Sequence, residues 1–185
     1  MQVKGIGLIT TNDFVKTKYP NEYTEWVNGL PKQSKNYYTT LISASGWYPF
    51  HDGFLVPMKS ITDKFFASNE IEAANQLGRY SAENALTGIY KIFLMIASPE
   101  YLIKKGSQIF SRYYLPCSME IANSTSKSSN LRITQFDEIN RAFEYRLGAW
   151  CVRAVELTNK KNVNYKIIKS LASGDHYTEI SVTWE

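Results

Sequence analysis

Two histidines and two cysteines carry whatever nucleophilic or metal-binding chemistry this chain has beyond its carboxylates. Asp175-His176 comes nearest to a working pair, because a carboxylate that orients an imidazole makes it a general base. Neighbours in a strand point to opposite faces, so these two side chains do not naturally meet. No nucleophile motif accompanies them, and a hairpin turn with an exposed histidine accounts for both residues. His51-Asp52 shares the weakness and sits between Pro49 and Gly53 in a loop. Cys117, Cys151, His51 and His176 would make four metal ligands, but none is close in sequence to another as zinc sites require. Gly5-Ile6-Gly7 lacks a third glycine and a helix opening directly after it, so it does not read as a phosphate cradle. Glu70, Glu72 and Glu83 follow a solvent-facing helical pattern. No catalytic residue, metal site or cofactor is expected.

Large apolar side chains are the remaining candidates. The chain holds 13 Tyr and 9 Phe, and Tyr suits the wall of a pocket as well as a core. A helical half packed on a small sheet can leave a cavity between the layers. Phe93, Tyr113, Tyr114, Phe143, Trp150 and Trp184 are the residues best placed to line it. The competing reading is that they fill a solid core.

Composition narrows the class. A length of 185 residues implies one domain, 1–185, with a helical part over about 11–115 and a β-β-α-β-β part over about 116–185. The net charge of +4 is not clustered. Lys104-Lys105 and Lys160-Lys161 fall near expected helix C-termini, where cations favour the dipole. A nucleic-acid partner, which needs a basic face interleaved with exposed aromatics, is not indicated. The most apolar run, Ile89–Ala97, is interrupted by Tyr90 and Lys91 and falls well short of the roughly 20 residues of a membrane span. The N-terminus lacks the apolar core and cleavage site of a signal peptide. Cys117 and Cys151 read as reduced, buried thiols of a cytoplasmic protein.

The last third organises the chain. A helix from Glu138 to Asn159, capped by Asp137, carries Phe143, Leu147, Trp150, Cys151, Ala154 and Leu157 on one stripe. Arg141, Glu144, Arg153 and Glu156 lie off it. Strands over Cys117–Ser124 and Asn130–Gln135 precede the helix, separated by a Ser/Thr/Asn-rich loop. Strands over Val163–Leu171 and Tyr177–Glu185 follow it as an antiparallel hairpin around Ser173-Gly174-Asp175, with Ile180, Val182 and Trp184 on one face.

Upstream, Val3–Thr10 reads as a short strand or extended lead-in, with Thr11-Asn12-Asp13 capping a helix over Phe14–Tyr19. A helix over Asn21–Gly29 follows, capped by Asn21. Pro31 begins another that turns Tyr37, Tyr38, Leu41 and Ile42 inward. Ser43–Gly53 is a turn-rich connection. Pro57 opens a helix buried through Met58, Ile61, Phe65 and Phe66. Ser68 caps the next, whose stripe of Ile71, Ala74, Leu77, Gly78 and Ala82 is narrow enough for another helix to come close. Ile89–Ala97 is apolar on nearly all sides, the mark of a central core helix. Ser98 caps a last upstream helix facing inward through Tyr101, Leu102, Ile109 and Phe110. The expected fold class is α/β of the α+β kind, a helical N-terminal half on a small antiparallel sheet.

Two stretches carry a resemblance. Val3-Lys4-Gly5-Ile6-Gly7-Leu8 and Gln76-Leu77-Gly78-Arg79 resemble a family of uncharacterised paralogous proteins abundant in myxobacteria. Leu147-Gly148-Ala149-Trp150, then Ser173-Gly174-Asp175, then Ser181-Val182-Thr183-Trp184 resemble the vinyl-reductase-like domains. The implied fold is the one shared by haem nitric-oxide-binding domains and Golgi transport-particle subunits. The resemblance implies a ligand-binding or interaction domain, often a homodimer, used in sensing or as a scaffold. Two departures limit it. A haem-binding member has an axial histidine on a helix and a Tyr-x-Ser-x-Arg motif, and this chain has neither. Metal-binding vinyl-reductase-like members have clustered cysteines where this chain has Ala172 and Thr178.

Two functions from different classes are therefore expected to compete. One is a non-enzymatic cytosolic sensor that holds a small apolar ligand between helices and sheet. The other is a protein-interaction module with a solid core and no ligand.

Overall fold

The computed structural model describes residues 1–86 and 97–185. Strand β1 (Gln2–Lys4) leads directly into α1 (Gly5–Lys18). The helix thus opens at Gly5, inside the expected strand and ahead of the expected cap at Thr11-Asn12-Asp13. The two glycines serve close approach. A Cβ at Gly5 would lie 2.0 Å from the Ser43 carbonyl oxygen, and one at Gly7 would lie 3.1 Å from Val3 and 3.2 Å from Phe54. Thr10 and Thr11 donate their hydroxyls to the Ile6 and Gly7 carbonyls at 2.8 and 2.9 Å, which satisfies them inside the helix.

Helices α2 (Tyr23–Gly29) and α3 (Lys32–Thr39) bury Trp26, Val27 and Tyr38. Asn21 does not cap α2, which has no side-chain cap. Helix α3 stops at Thr39, so the spacing that would turn Leu41 inward no longer applies, and Leu41 is 98% exposed. The Ser43–Gly53 connection is more ordered than its turn residues suggest. It contains β2 (Trp47–Pro49), and a π-helical turn over His51–Leu55 feeds α4 (Val56–Phe65). Strand β1 pairs antiparallel with β2 and with β3 (Tyr114–Leu115). Strands of two or three residues are too short for an alternating pattern to show.

Helix α5 (Glu70–Ala85) is capped by Asn69, whose Oδ1 accepts from the Glu72 amide at 3.1 Å. Ser68 has a φ of 61° and caps nothing. Ala74, Leu77, Gly78 and Ala82 are buried as expected, whereas Ile71 is half-exposed. The expected core helix over Ile89–Ala97 falls almost wholly outside the described residues. Helix α6 (Pro99–Ile109) is capped by Ser98, but Tyr101 and Ile109 on its expected inner face are exposed.

The C-terminal unit follows the sequence closely. It comprises β4 (Ser118–Thr125), β5 (Ser128–Thr134), α7 (Arg141–Glu156), β6 (Asn164–Lys169) and β7 (Thr178–Thr183). The strands form an antiparallel sheet in the order β4-β5-β7-β6, the two hairpins meeting at β5 and β7. The expected loop over Asn123–Asn130 shrinks to a turn, because Thr125 and Ser128 continue the ladder. Asn140, not Asp137, caps α7 by accepting from the Phe143 amide at 2.8 Å.

Helix α7 is covered on two sides. A Cβ at Gly78 on α5 would lie 2.2 Å from the Arg146 carbonyl oxygen and 2.9 Å from the Ala149 Cβ. A Cβ at Gly148 on the other side would lie 2.3 Å from the Tyr165 ring of β6. Backbone meets backbone at the first crossing, which is why small residues sit there. The architecture is the expected α+β fold.

Candidate ligand cavity

A cavity of about 530 Å³ lies between α1, α5, α6, α7 and the inner face of the sheet. Helix α7 forms one wall through Phe143, Arg146, Leu147, Trp150 and Cys151. Ile6 and Gly7 of α1, Leu102 and Ile103 of α6, and Met119 and Leu131 of the sheet face it. Among the described residues, the lining is mostly apolar. A second, smaller groove of about 230 Å³ is bordered by Lys59, Asp63 and Asn140. Lys59 and Asp63 are already paired at 2.6 Å, and Asn140 is spent on the α7 cap.

The six residues singled out as pocket candidates separate in the structure. Tyr113, Tyr114, Phe143 and Trp150 all line the larger cavity. Tyr113 is exposed, Trp150 half-buried and Phe143 buried. Tyr114 and Phe143 also belong to an aromatic cluster with Phe50 and Phe136, where ring centroids lie 5.1 Å apart for Tyr114–Phe143 and 5.2 Å for Phe50–Phe143. Trp184 is elsewhere. It follows the end of β7, faces the core of the sheet, and donates its indole N–H to the Ser126 carbonyl at 3.1 Å. Phe93 lies outside the described residues.

Sequence reasoning missed two buried charges. Arg146 is 5% exposed, although it is an arginine in the middle of an apolar stripe. Its position three residues after Phe143 and four before Trp150 places it on that stripe, and this was the available signal. Its Nη1 donates to Thr11 Oγ1 at 3.2 Å and its Nη2 to Ser81 Oγ at 3.0 Å. The guanidinium carbon lies 4.4 Å from the Phe54 ring centroid. Glu144 lies off the stripe yet is fully buried, because the sheet covers that side of α7. It accepts from Ser170 Oγ at 2.7 Å, Thr178 Oγ1 at 2.5 Å and Arg141 Nη1 at 3.1 Å.

Of the two candidate catalytic pairs, only one assembles. Asp175 accepts from the Ser170 amide at 2.8 Å, and His176 is exposed on the turn. His51 and Asp52 do meet, Nδ1 to Oδ1 at 2.8 Å, at the start of the π-helical turn. The pair is largely exposed and away from the cavity. Among the described residues, no three His, Cys, Asp or Glu side chains gather as a metal site would need.

Both cysteines are buried and unbonded to each other. Burial pushes each thiol up to about 12 from an ordinary value of 9.0. Two results are expected. A thiol reagent at pH 8 should label neither cysteine in the folded protein and both in denaturant. Stability should fall as pH rises from about 9 to about 12, because the unfolded chain gives up its thiol protons first. Urea titrations at several pH values check this, and the slope should shrink in a Cys117→Ala/Cys151→Ala double variant.

The fold family stated above raises the question of haem. Described lining residues of the types that ligate haem iron include Tyr113, Tyr114, Met119 and Cys151. Burial pushes the Tyr114 hydroxyl and the Cys151 thiol up to about 12. Neither histidine lines the cavity, and residues 87–96 contain none. The residues present do not fit a histidine-ligated haem.

No protein-family model matches the sequence, and no curated protein matches it. The resemblance to the myxobacterial paralogues and the vinyl-reductase-like domains rests on the quoted motifs alone. Solved structures do match. An Fe(II) unliganded H-NOX protein from K. algicida superposes with a TM-score of 0.71 at 12% identity, covering 98% of this chain and 96% of that one. An H-NOX protein from S. oneidensis in the Fe(II)NO ligation state superposes with a TM-score of 0.74 at 9% identity, covering 98% and 99%. Identities this low carry the architecture and nothing finer. The chain adopts the fold of the H-NOX proteins.

Proposed function

We propose that this chain is a non-enzymatic sensor or binding domain that takes a small molecule with an apolar body into the cavity beside Trp150. The cavity of about 530 Å³ carries the reading. That size and its mostly apolar lining fall within the range typical of small-molecule sites. The solved proteins of this fold include one with nitric oxide on Fe(II), so the architecture accommodates ligand sensing. The ligand here is held without a histidine-bound haem, by side chains of α1, α6, α7 and the sheet. A solid-core interaction module is the less favoured reading, since it predicts no such cavity. The implied assembly is a homodimer, which light scattering would test.

Native mass spectrometry of the purified protein should show a retained small molecule, or a thermal-shift screen of apolar compounds should raise the melting temperature. Binding at a hundred times Kd stabilises by about 2.7 kcal/mol. For a chain of this size that is roughly 5–11 °C. The absence of both a retained mass and any shift across the panel would sink the proposal. The site variant is Ala154→Phe, which fills the cavity from the α7 wall and should abolish the shift.

A further inference from the structure

We infer that the cavity's ligand is an apolar acid whose carboxylate pairs with the guanidinium of Arg146. The inference rests on the ligand-binding reading above and adds the charge of the ligand to it.

The observation is a buried cation without an anion. Arg79, Arg132, Arg141 and Arg153 each meet a carboxylate. Arg146 is buried beyond any of them and meets none among the described residues. Residues 87–96 contain no Asp or Glu, so that segment supplies no carboxylate either. The neighbouring acid on α7, Glu144, is committed to Ser170, Thr178 and Arg141.

What surrounds Arg146 positions it without neutralising it. Thr11 and Ser81 are neutral acceptors, and each hydroxyl donates its own proton to a carbonyl one turn back, Gly7 at 2.9 Å and Leu77 at 2.8 Å. Both oxygens therefore present lone pairs to the guanidinium, which is held between α1 and α5 with the Phe54 ring against it. Burial lowers the group to about 10, which leaves it charged at neutral pH. A charged guanidinium out of water is costly unless a counter-charge joins it. It has five donors in a planar fork, of which the two hydroxyls take two. A carboxylate matches the rest of that fork. Arg146 and Ser81 both line the cavity, so the counter-charge can arrive with a ligand. Lys4 is the other cation among the described lining residues, and its ammonium is taken by the Ser45 carbonyl at 2.8 Å and the Trp47 ring, so Arg146 in a mostly apolar wall suits a monoanion on an apolar body.

Two apolar acids separate an acyl chain from an aromatic body: dodecanoate beside dodecanol, and 1-naphthoate beside 1-naphthalenemethanol. Calorimetric titration of the wild-type protein should show at least one acid bound more tightly than its alcohol, by on the order of tenfold or more. Arg146→Gln should bring that ratio close to one by weakening the acid far more than the alcohol. Should Arg146→Gln fail to fold, the acid-to-alcohol ratio of the wild-type protein decides. Equal binding of acid and alcohol, or a ratio that survives Arg146→Gln, would overturn the inference and leave the cavity reading standing. No binding by any of the four probes would overturn both.

Discussion

Gly78→Leu should lower the melting temperature by roughly 6–12 °C, the equivalent of about 3 kcal/mol for a chain of this length. The reason is local. A Cβ at Gly78 would sit 2.2 Å from the Arg146 carbonyl oxygen, an atom of helix backbone that no rotamer change can move aside. Even Gly78→Ala must push α5 away from α7, and leucine adds three more carbons in the same place. Because α7 is held on its other side by Tyr165 against Gly148, it cannot retreat toward the sheet. The matched control is Gly106→Ala in α6, where an added Cβ meets nothing within 4 Å. That change should be neutral or stabilising by roughly 0.5–1 kcal/mol, from helix propensity. Thermal melts of the three proteins decide the matter. A Gly78→Leu variant that melts with the wild type would show that the helices are not in contact there.

Glu144→Ala should cost about 3–5 kcal/mol, the range for removing one member of a buried charged network. The carboxylate is the shared acceptor for Ser170, Thr178 and Arg141, so its loss leaves two buried hydroxyls without an acceptor and removes the ion pair of the half-exposed Arg141. Thr178 has a second bond, accepting from the Leu171 amide at 3.0 Å, and Ser170 Oγ accepts from the Ser173 amide at 3.1 Å. The carboxylate therefore fixes both hydroxyls in the geometry that closes the β6–β7 connection. Glu144→Gln keeps the shape but turns one oxygen into a donor facing donors, and should fall between the alanine variant and the wild type. Urea denaturation of the pair provides the measurement. Equal stabilities for all three would mean that the network contributes nothing.

The elements that sequence located well are those long enough to show a period. Leu131 and Ile133 in β5, and Ile180 and Val182 in β7, alternate over whole strands, and all four are buried as that alternation predicts. The stripe of α7 runs four turns, so its identity never depended on where it started. Its cap was misplaced by three residues, at Asp137 instead of Asn140, because two residues with the same capping chemistry stand close together. Elements of two or three residues left no period to read. Strands β2 and β3 exist because each pairs with β1, and helix α1 takes in Gly5–Thr10 of the expected lead-in, with Gly5 and Gly7 at points of close packing.

The candidate site divides along the same line. Tyr113, Tyr114, Phe143 and Trp150 could be nominated from size and spacing, whereas Trp184 could not be excluded, since inward-facing says nothing about which inward space. The amino-acid sequence by itself determined the α+β class, the order of the C-terminal unit and the apolar face of α7, because each depends on side-chain periodicity along one element. Only the tertiary structure decided that a cavity lies beside that face, and that Arg146 faces it while Glu144 faces the sheet. Burial of a single charged residue depends on what packs against it from elsewhere in the chain, and Thr11 and Ser81 lie 135 and 65 positions from the arginine they hold.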